Sequence, residues 1–409
     1  MRETDHQKQK LWTGLFIVIC ALGLGISLVQ RLLDNTLAIY ATDMWDSKTY
    51  GGWMTSGFTF GSIAACVFGG SLADRVGRQK AFIIGAAMFI AGTVCMLFTT
   101  SPWVMLALRA VQGAARAFAM VAAAAMAADV IPTARMGEGM GYYGLGTTLA
   151  NAFGPTLGLA MIAGGSYNFM FGSCAAIYAA MLVTALFIRY EKTRRSAAKS
   201  GEKARSLGAL LGQLFERGAL PAAVVDFFVG AGNVCVLTFL TLYAKEELGI
   251  ENSGMFFTMA AIGMVVSRLF CGRIVDRHGA LVVMIPSLLV GIGTYALLAF
   301  AAPHSYAVFL LCGLLYGIQQ GSSYPTVQAV AVVDSPRDRR GTASSTITFG
   351  MDLGILISAT ILGSLLDSRG YVPMFLTGMG IYAVGILLAI PMFGNKARAA
   401  RRARMGVEL

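Results

Sequence analysis

Long apolar segments follow one another along the chain, separated by short polar stretches. Each segment is about 20 residues long, the length that an α-helix needs to cross roughly 30 Å of membrane hydrocarbon. Helices are expected because lipid offers no hydrogen-bond partner to an open backbone. We therefore predict an all-α membrane protein with twelve transmembrane helices in two six-helix bundles. The predicted spans are residues 11–35, 50–70, 80–99, 103–127, 139–163, 168–188, 220–243, 254–275, 280–301, 305–330, 341–364 and 371–392.

Lysine and arginine are concentrated in alternate loops, which predicts the orientation of the chain. Basic loops face the cytoplasm, so both termini are predicted to be cytoplasmic, and the number of spans must then be even. The longest polar stretch lies between the sixth and seventh spans. The predicted organisation is an N-terminal bundle (1–188), a cytoplasmic linker (189–218), a C-terminal bundle (219–395) and a basic cytoplasmic tail (396–409).

The composition narrows the class of protein. Hydrophobic residues make up 56% of the chain and charged residues 13%, which excludes an ordinary soluble domain and a disordered chain. The net charge of +11 is what basic cytoplasmic loops produce, so the partner we expect is the lipid bilayer and not nucleic acid. The chain has three histidines and seven dispersed cysteines, so we predict no metal site, and we expect no cofactor.

The two halves of the chain repeat each other. Residues 70–78 read GSLADRVGR after the second span, and residues 272–279 read GRIVDRHG after the eighth, 202 positions later. Asp129 and Pro132 close the fourth span as Asp334 and Pro336 close the tenth, at nearly the same offset. Duplicated six-helix halves are typical of secondary transporters, which bind substrate near the bilayer midplane where the halves meet. The two bundles are therefore predicted to be pseudo-symmetric.

Three motifs give the sequence a family resemblance. Residues 70–78 resemble the loop 2–3 motif G-x-L-A-D-R-x-G-R of the major facilitator superfamily. Arg109, Gln112 and Gly113 resemble its R-x-x-Q-G motif, and residues 154–158 resemble the antiporter motif G-P-x-x-G-G, with Leu159 replacing the last glycine. Taken together, the chain resembles the twelve-span drug:proton antiporter branch. The resemblance implies a monomeric transporter of the cell inner membrane that acts on a small molecule and on protons.

The resemblance also implies a set of residues that latch the cytoplasmic side shut in one state of the transport cycle. Charges that only fix the topology are the alternative interpretation. Gly154, Pro155 and Gly158 are predicted to form a helix bend used during transport, with a static packing kink as the alternative. The predicted latch residues are Gly70, Asp74, Arg75, Gly77, Arg78, Asp129, Gly272, Asp276, Arg277 and Asp334.

Polar residues inside the predicted spans are functional candidates, because a charge in the membrane interior is costly. Asp34 is the first candidate for a carboxylate that carries the proton, and an ion pair with Arg31 is its structural alternative. Arg109 is the second coupling candidate, through the motif resemblance. Arg116 suits a carboxylate or phosphate group, with pairing to an internal acid as the alternative. The predicted substrate-binding residues are Gln30, Arg31, Asp34, Asn35, Arg116, Asp226, Asn233, Gln319, Gln320 and Tyr324.

These observations predict a proton-coupled secondary transporter that exports a small organic molecule by alternating access. The mixture of arginines, acids and amides suits a drug-like, zwitterionic or anionic solute, such as a zwitterionic metallophore or an amino-acid-like metabolite. No Walker A sequence occurs in the chain, so ATP is not expected to drive transport. An uptake symporter for an organic acid or sugar is the alternative within the fold. A membrane sensor or scaffold is the alternative from another class, and an enzyme is not predicted.

Overall fold

The structure is a computed structural model that describes residues 11–132, 135–164, 166–188, 215–250, 252–333, 335 and 340–404. Within these ranges, side chains are left undescribed at 66–75, 136–138, 141, 152, 276, 332–333, 340–341 and 394–404. The regular structure of the described ranges is helical. Its helices are α1 (Gly14–Trp45), α2 (Lys48–Val76), α3 (Arg78–Met96), α4 (Pro102–Val130), α5 (Met136–Ala163), α6 (Tyr167–Phe187), α7 (Leu220–Leu237), α8 (Leu240–Glu246), α9 (Gly254–His278), α10 (Leu281–Phe300), α11 (Tyr306–Val333), α12 (Arg340–Arg369) and α13 (Tyr371–Arg404).

Every predicted span coincides with a helix of the structure, and the seventh coincides with two. Nine helical stretches of the described residues are long and apolar enough to cross a membrane. The helices α2, α5 and α11 carry more glycine and hydroxyl residues, but each is 28 or 29 residues long. At about 1.5 Å per residue these three also exceed the hydrocarbon thickness of roughly 30 Å. The predicted all-α membrane fold is therefore confirmed.

The seventh span is broken near its middle. Helix α7 ends at Leu237 and α8 begins at Leu240, with Thr238 and Phe239 between them. The Thr238 hydroxyl lies 3.3 Å from that of Thr55 on α2, and Thr241 donates a hydrogen bond of 2.8 Å to the carbonyl oxygen of Asn35. Both contacts join side chains of the broken segment to α1 and α2.

The chain divides into two compact units. Unit 1 contains residues Met1–Leu33 and Gly61–Glu202, and unit 2 contains Asp34–Phe60 and Lys203–Leu409. The turn between α1 and α2 thus belongs to the same unit as the C-terminal helices. Ser56 of α2 illustrates why, since its hydroxyl donates to the carbonyl oxygen of Leu356 (2.7 Å) and lies 2.8 Å from that of Thr360.

The predicted linker and tail lie partly outside the described residues. Of the linker, residues 189–214 are not described, so its cytoplasmic position stays a prediction. Of the predicted tail, residues up to Arg404 continue helix α13, and residues 405–409 lie outside the described ranges.

Each unit uses the same scheme of helix packing. In unit 1, α3 packs against α4 and α6, and α5 packs against α4 and α6. In unit 2, α10 packs against α11 and α13, and α12 packs against α11 and α13. Because α3 to α6 precede α10 to α13 by one repeat, the same pairs are formed twice. The internal duplication read from the loops therefore extends to the interior of the bundles.

Glycines at equivalent positions allow the closest helix contacts. Gly61 of α2 lies against the backbone of Ala110 on α4, and Gly263 of α9, 202 residues later, lies against the backbone of Leu314 on α11. Small residues let helix backbones approach in a membrane, where packing replaces the hydrophobic driving force. A Cβ atom at Gly263 would meet the Leu314 carbonyl oxygen and would lie 3.0 Å from the amide nitrogen of Ile318.

We predict that Gly263→Ala destabilises the protein by about 1–3 kcal/mol, because the added methyl group forces α9 away from α11. Gly293→Ala is the matched control, since a Cβ atom there meets nothing within 4 Å. The control should be neutral or slightly stabilising, because alanine favours helix over glycine by about 1 kcal/mol. Thermal unfolding of both variants in detergent measures the difference, and equal midpoints would contradict the packing role.

Candidate functional site

Four candidate residues lie side by side on α1. Gln30 and Arg31 are partly exposed, whereas the side chains of Asp34 and Asn35 are buried, with 4% and 1% of their surface accessible. Gly154 of α5 lies against this face, because a Cβ atom there would come within 2.6 Å of the Arg31 Cβ atom. Gly154 thus has a packing role, because the absence of a side chain lets α5 approach α1 at Arg31.

The other two bend residues, Pro155 and Gly158, also lie within the continuous helix α5. Proline inside a helix removes one backbone hydrogen bond and favours a kink. Movement about this position stays a prediction.

Arg109 is the centre of a buried polar cluster between α3 and α4. Its Nη1 atom donates a hydrogen bond of 3.0 Å to Oε1 of Gln112, and only 1% of the side chain is accessible. The Gln112 amide in turn donates to the Thr93 hydroxyl (2.8 Å) and to the sulfur of Met96 (3.4 Å). Two of the three motif residues are therefore joined in one hydrogen-bonded network, and the guanidinium is held rigidly inside unit 1.

Arg116 lies about two turns further along α4 in a different environment. It is partly exposed, and its Nη1 atom donates to the Ser62 hydroxyl of α2 at 3.3 Å. Tyr143 of α5 and Tyr178 of α6 lie within electrostatic range of its charge. The Tyr178 ring stacks on Phe89 of α3, with ring centroids 3.8 Å apart. Helices α2, α4, α5 and α6 thus contribute to a polar centre around one guanidinium, which we call the Arg116 centre.

Two candidates of unit 2 serve as internal ties. Asn233 on α7 accepts a hydrogen bond of 2.7 Å from the Tyr382 hydroxyl of α13. Gln319 on α11 is fully buried, and its amide donates to the Ser323 hydroxyl at 3.3 Å. Both side chains are buried between packed helices, so a direct contact with substrate stays a prediction for them.

The remaining candidates of unit 2 are placed differently. Gln320 is partly exposed and donates to the Tyr316 hydroxyl at 3.1 Å. Tyr324 is also partly exposed, and its hydroxyl oxygen accepts a hydrogen bond of 3.0 Å from Gln328. Asp226 on α7 is fully buried, and within the described residues neither of its carboxylate oxygens has a hydrogen-bond donor.

The glycines of the repeated loop motif have two different roles. Gly77 and Gly279 sit at the helix ends with φ angles of 102° and 90°, which favour glycine over any residue with a Cβ atom. Gly70 and Gly272 lie inside α2 and α9 instead, so they do not form the turns that the sequence suggested. The turn at each repeat is therefore made by the second glycine of the motif.

The predicted latch is described only in part. Arg78 at the start of α3 forms an ion pair with Asp129 at the end of α4, and it donates to the Ala125 carbonyl oxygen at 2.7 Å. Arg277 is exposed. The side chains of Asp74, Arg75 and Asp276 and all of Asp334 lie outside the described residues, so their pairing stays a prediction.

A polar cluster near the α1–α2 turn was not among the predicted sites. Asp367 of α12 accepts hydrogen bonds from the backbone amides of Lys48 and Thr49, both at 2.7 Å. It also accepts from the hydroxyls of Thr49 and Ser47, the latter at 2.9 Å. These amides belong to the first turn of α2, so a carboxylate from the C-terminal half caps that helix.

Ion pairs extend this cluster on both sides. Lys245 of α8 lies 3.1 Å from a carboxylate oxygen of Asp43. Lys48 lies 2.5 Å from Glu246, and its ammonium group also lies 4.7 Å from the centre of the Tyr371 ring. The hairpin cluster is the name we use for this set: Asp43, Ser47, Lys48, Thr49, Lys245, Glu246, Asp367 and Tyr371.

Several residues of these clusters carried no individual sequence signal. Ser62, Tyr143 and Tyr178 come from three different helices, and only the fold brings them to Arg116. Gln112 is part of the R-x-x-Q-G resemblance, so the motif gave a reason to expect a functional role for it. Within the described residues, no group of three or more His, Cys, Asp or Glu side chains is placed to hold a metal ion.

Comparison with known proteins places these clusters in context. The sequence model of the Major Facilitator Superfamily matches residues 11–359. Multidrug resistance protein MdtG of Enterobacter lignolyticus (strain SCF1) is 26% identical over 380 residues, which cover 89% of this chain and 87% of MdtG. The staphylopine export protein of Staphylococcus aureus (strain Mu50 / ATCC 700699) is 24% identical over 370 residues, covering 88% and 91% of the two chains.

A solved structure shows the same fold. A crystal structure of a variant of the nucleoside transporter NupG superimposes with a TM-score of 0.78, covering 93% of this chain and 100% of that one. The two sequences are 14% identical, so the likeness concerns the fold alone.

We predict that Asp367→Ala lowers the free energy of unfolding by about 1–3 kcal/mol, because two backbone amides and two hydroxyls lose a charged acceptor. Asp43→Ala, which removes an exposed ion pair at the same end of α1, should cost less than about 1 kcal/mol. Chemical unfolding in detergent compares the two variants. If Asp43→Ala cost as much as Asp367→Ala, the capping role would be wrong.

Proposed function

The chain belongs to the Major Facilitator Superfamily, and on that premise we propose that it exports a small organic molecule in exchange for protons by alternating access. Family membership makes it a membrane-spanning transporter of small molecules and not an enzyme. The direction of transport, the coupling ion and the solute are our proposals. We further propose that it acts as a monomer in the cell inner membrane with both termini cytoplasmic, as its basic loops indicate.

The Arg116 centre is the observation that carries the proposal. A guanidinium about halfway along a membrane-spanning helix is costly, and such a charge is retained where it has a task. Its planar group of donors matches carboxylate and phosphate geometry. The tyrosines around it combine a flat apolar surface with a hydroxyl group. We propose that this centre binds a carboxylate of a zwitterionic or anionic solute.

Export is favoured over uptake by the relatives. One is named as a multidrug resistance protein and another as a staphylopine export protein, and each alignment covers almost nine tenths of this chain. The antiporter-like residues Gly154 and Pro155 support the same direction. Uptake of an organic acid or sugar by the same fold is the alternative.

Proton coupling is proposed for Asp34 and Arg109 on different grounds. Asp34 is a buried carboxylate within a membrane span, where loss or gain of a proton changes the cost of burial greatly. Arg109 is locked by Gln112, so it supplies a fixed positive charge in unit 1. The family resemblance of its motif is what supports a part in coupling.

Alternating access needs contacts that form in one state and break in the other. The hairpin cluster is a candidate, because it joins the α1–α2 turn to α8, α12 and α13 through exposed or partly exposed polar groups. The Arg78–Asp129 pair is the candidate that comes from the predicted latch.

We predict that Arg116→Ala lowers export of a carboxylated solute by about tenfold to a hundredfold, since a charge-assisted hydrogen bond is worth roughly 1.5–3 kcal/mol. The assay uses everted membrane vesicles with an acidic lumen and measures uptake of radiolabelled staphylopine, with ethidium as a cationic comparison. Arg116→Lys keeps the charge but loses the planar donor pair, so it should recover only part of the activity.

Arg273→Ala is the matched control, because Arg273 is an exposed arginine on α9 outside these clusters. It should transport at the wild-type level. Undiminished staphylopine transport by Arg116→Ala would remove the Arg116 centre from the site. Accumulation that needs the opposite gradient would replace export with the uptake alternative.

A further inference from the structure

Asp226 is the buried charged group that the proposed mechanism does not yet use. It lies on α7, about one and a half turns from the helix start at Leu220, and none of its surface is accessible. Both carboxylate oxygens lack a hydrogen-bond donor within the described residues. An ionised carboxylate is kept in a protein interior by donors or by a cation. Asp226 therefore has the environment of a carboxyl group that is neutral for at least part of a cycle.

A second carboxylate is brought close by the packing of α7 against α12. Gly350 and Gly354 of α12 lie against the backbones of Ala223 and Phe227, one on each side of Asp226. Gly230 of α7 completes the contact, since a Cβ atom there would come within 2.5 Å of the Met351 carbonyl oxygen. Three glycines thus bring the two backbones together at the level of Asp226.

Asp352 lies between the two α12 glycines and interacts electrostatically with Asp226. Unlike Asp226, it is partly exposed. The pair therefore consists of one carboxyl group with accessible surface and one without. Two carboxylates so placed repel each other when both are ionised, and the pair is relieved by binding one proton.

The other titratable groups around the pair come from the neighbouring helices. Tyr324 of α11 interacts electrostatically with both carboxyl groups, and its hydroxyl is already held by Gln328. Arg268 of α9 is a further charged group near the cluster, and it interacts electrostatically with Tyr324. On α13, the Tyr382 hydroxyl is taken by Asn233, about two turns further along α7. Asp226 and Asp352 are thus the acidic groups of this cluster.

We propose that Asp226 and Asp352 together bind the proton that is exchanged for the exported solute, with Asp352 as the entry group. A proton from water binds to a carboxylate oxygen of Asp352 and passes to Asp226, where it is shared between the two groups. It leaves as the same single proton when the pair is exposed to the other side, so no other reactant is needed. This inference rests on the proposed function and adds a coupling site in the C-terminal half to the coupling proposed for Asp34.

The first test observes the proton directly and needs no solute. Infrared difference spectra of the purified protein between acidic and alkaline buffer report the carbonyl stretch of a protonated carboxylic acid. We expect Asp226→Asn to remove this signal and Asp352→Asn to alter it, because asparagine resembles the protonated acid in shape but does not titrate. Asp46→Asn is the exposed control, and asparagine suits the positive φ of 48° there.

The second test separates coupling from binding. In everted vesicles, Asp226→Asn should lose accumulation of staphylopine driven by a pH gradient. It should keep exchange of labelled for unlabelled staphylopine without a gradient, because only the proton site is removed. Retention of gradient-driven accumulation at the wild-type level, with an unchanged infrared signal, would overturn the proposal.

The remaining outcomes also decide. If Asp226→Asn lost exchange together with accumulation, the pair would bind the solute and not the proton alone, and the proposal would be wrong. If Asp226→Asn failed to fold, the altered or unaltered infrared signal of Asp352→Asn would decide in its place. If the wild-type protein showed no gradient-driven accumulation, the proposed export would fail, whereas the infrared signal would still report on the proton site.

Discussion

Lipid hydrocarbon offers no hydrogen-bond partner to a polar side chain. In a membrane-spanning helix, such a side chain must therefore bind other protein groups or the solute or ion that the protein transports. Most polar groups described here meet the first condition. Arg109 is tied to Gln112, and Asn233 accepts from Tyr382. Asp226 differs from these, because within the described residues neither of its carboxylate oxygens has a hydrogen-bond donor, and we propose that it meets the second condition. The same constraint therefore separates structural from functional polar residues.

The scaffold that positions these groups is built from close helix contacts through glycine. Gly61 and Gly263 make equivalent contacts in the two repeats, and Gly146 against Leu24 is matched by Gly350 against Ala223. Such contacts replace side-chain packing by backbone packing, which is favourable where apolar burial gains little. Because the contacts recur, duplication preserved the scaffold while the polar residues between the glycines diverged. In this chain these close helix contacts are thus made by small residues and not by charged ones.

The two repeats differ in the charged residues that equivalent helices carry. The N-terminal repeat keeps two arginines on α4, Arg109 and Arg116, whereas the equivalent helix of the C-terminal repeat has Gln320 in the place of Arg116. The C-terminal repeat holds the carboxyl groups of Asp226 and Asp352. A cationic centre suits an anionic group of a solute, and an acidic pair suits a proton. In our proposal, the duplicated fold thus has one centre for the solute and another for the proton.

The sequence by itself determined the class and the helices. Segment length and hydrophobicity are enough for this, because lipid admits only a few backbone structures. The loop motifs also announced the repeat and the turn at Gly77, which rest on local backbone geometry. Sequence alone did not separate Gly70, which lies inside α2, from the glycine that makes the turn. It also did not anticipate the break in the seventh span between Leu237 and Leu240.

Only the tertiary structure decided which polar residues meet. Asp226 and Asp352 are 126 positions apart, and the glycine contacts of α7 and α12 alone bring them together. Asp367 caps a helix that begins more than 300 residues earlier, and no local pattern announces such a partner. Hydrophobic length is a property of each segment, whereas a hydrogen bond or a charge pair needs two segments in register. The helices can therefore be predicted from local sequence, whereas the contacts between polar side chains are set only when the helices pack together.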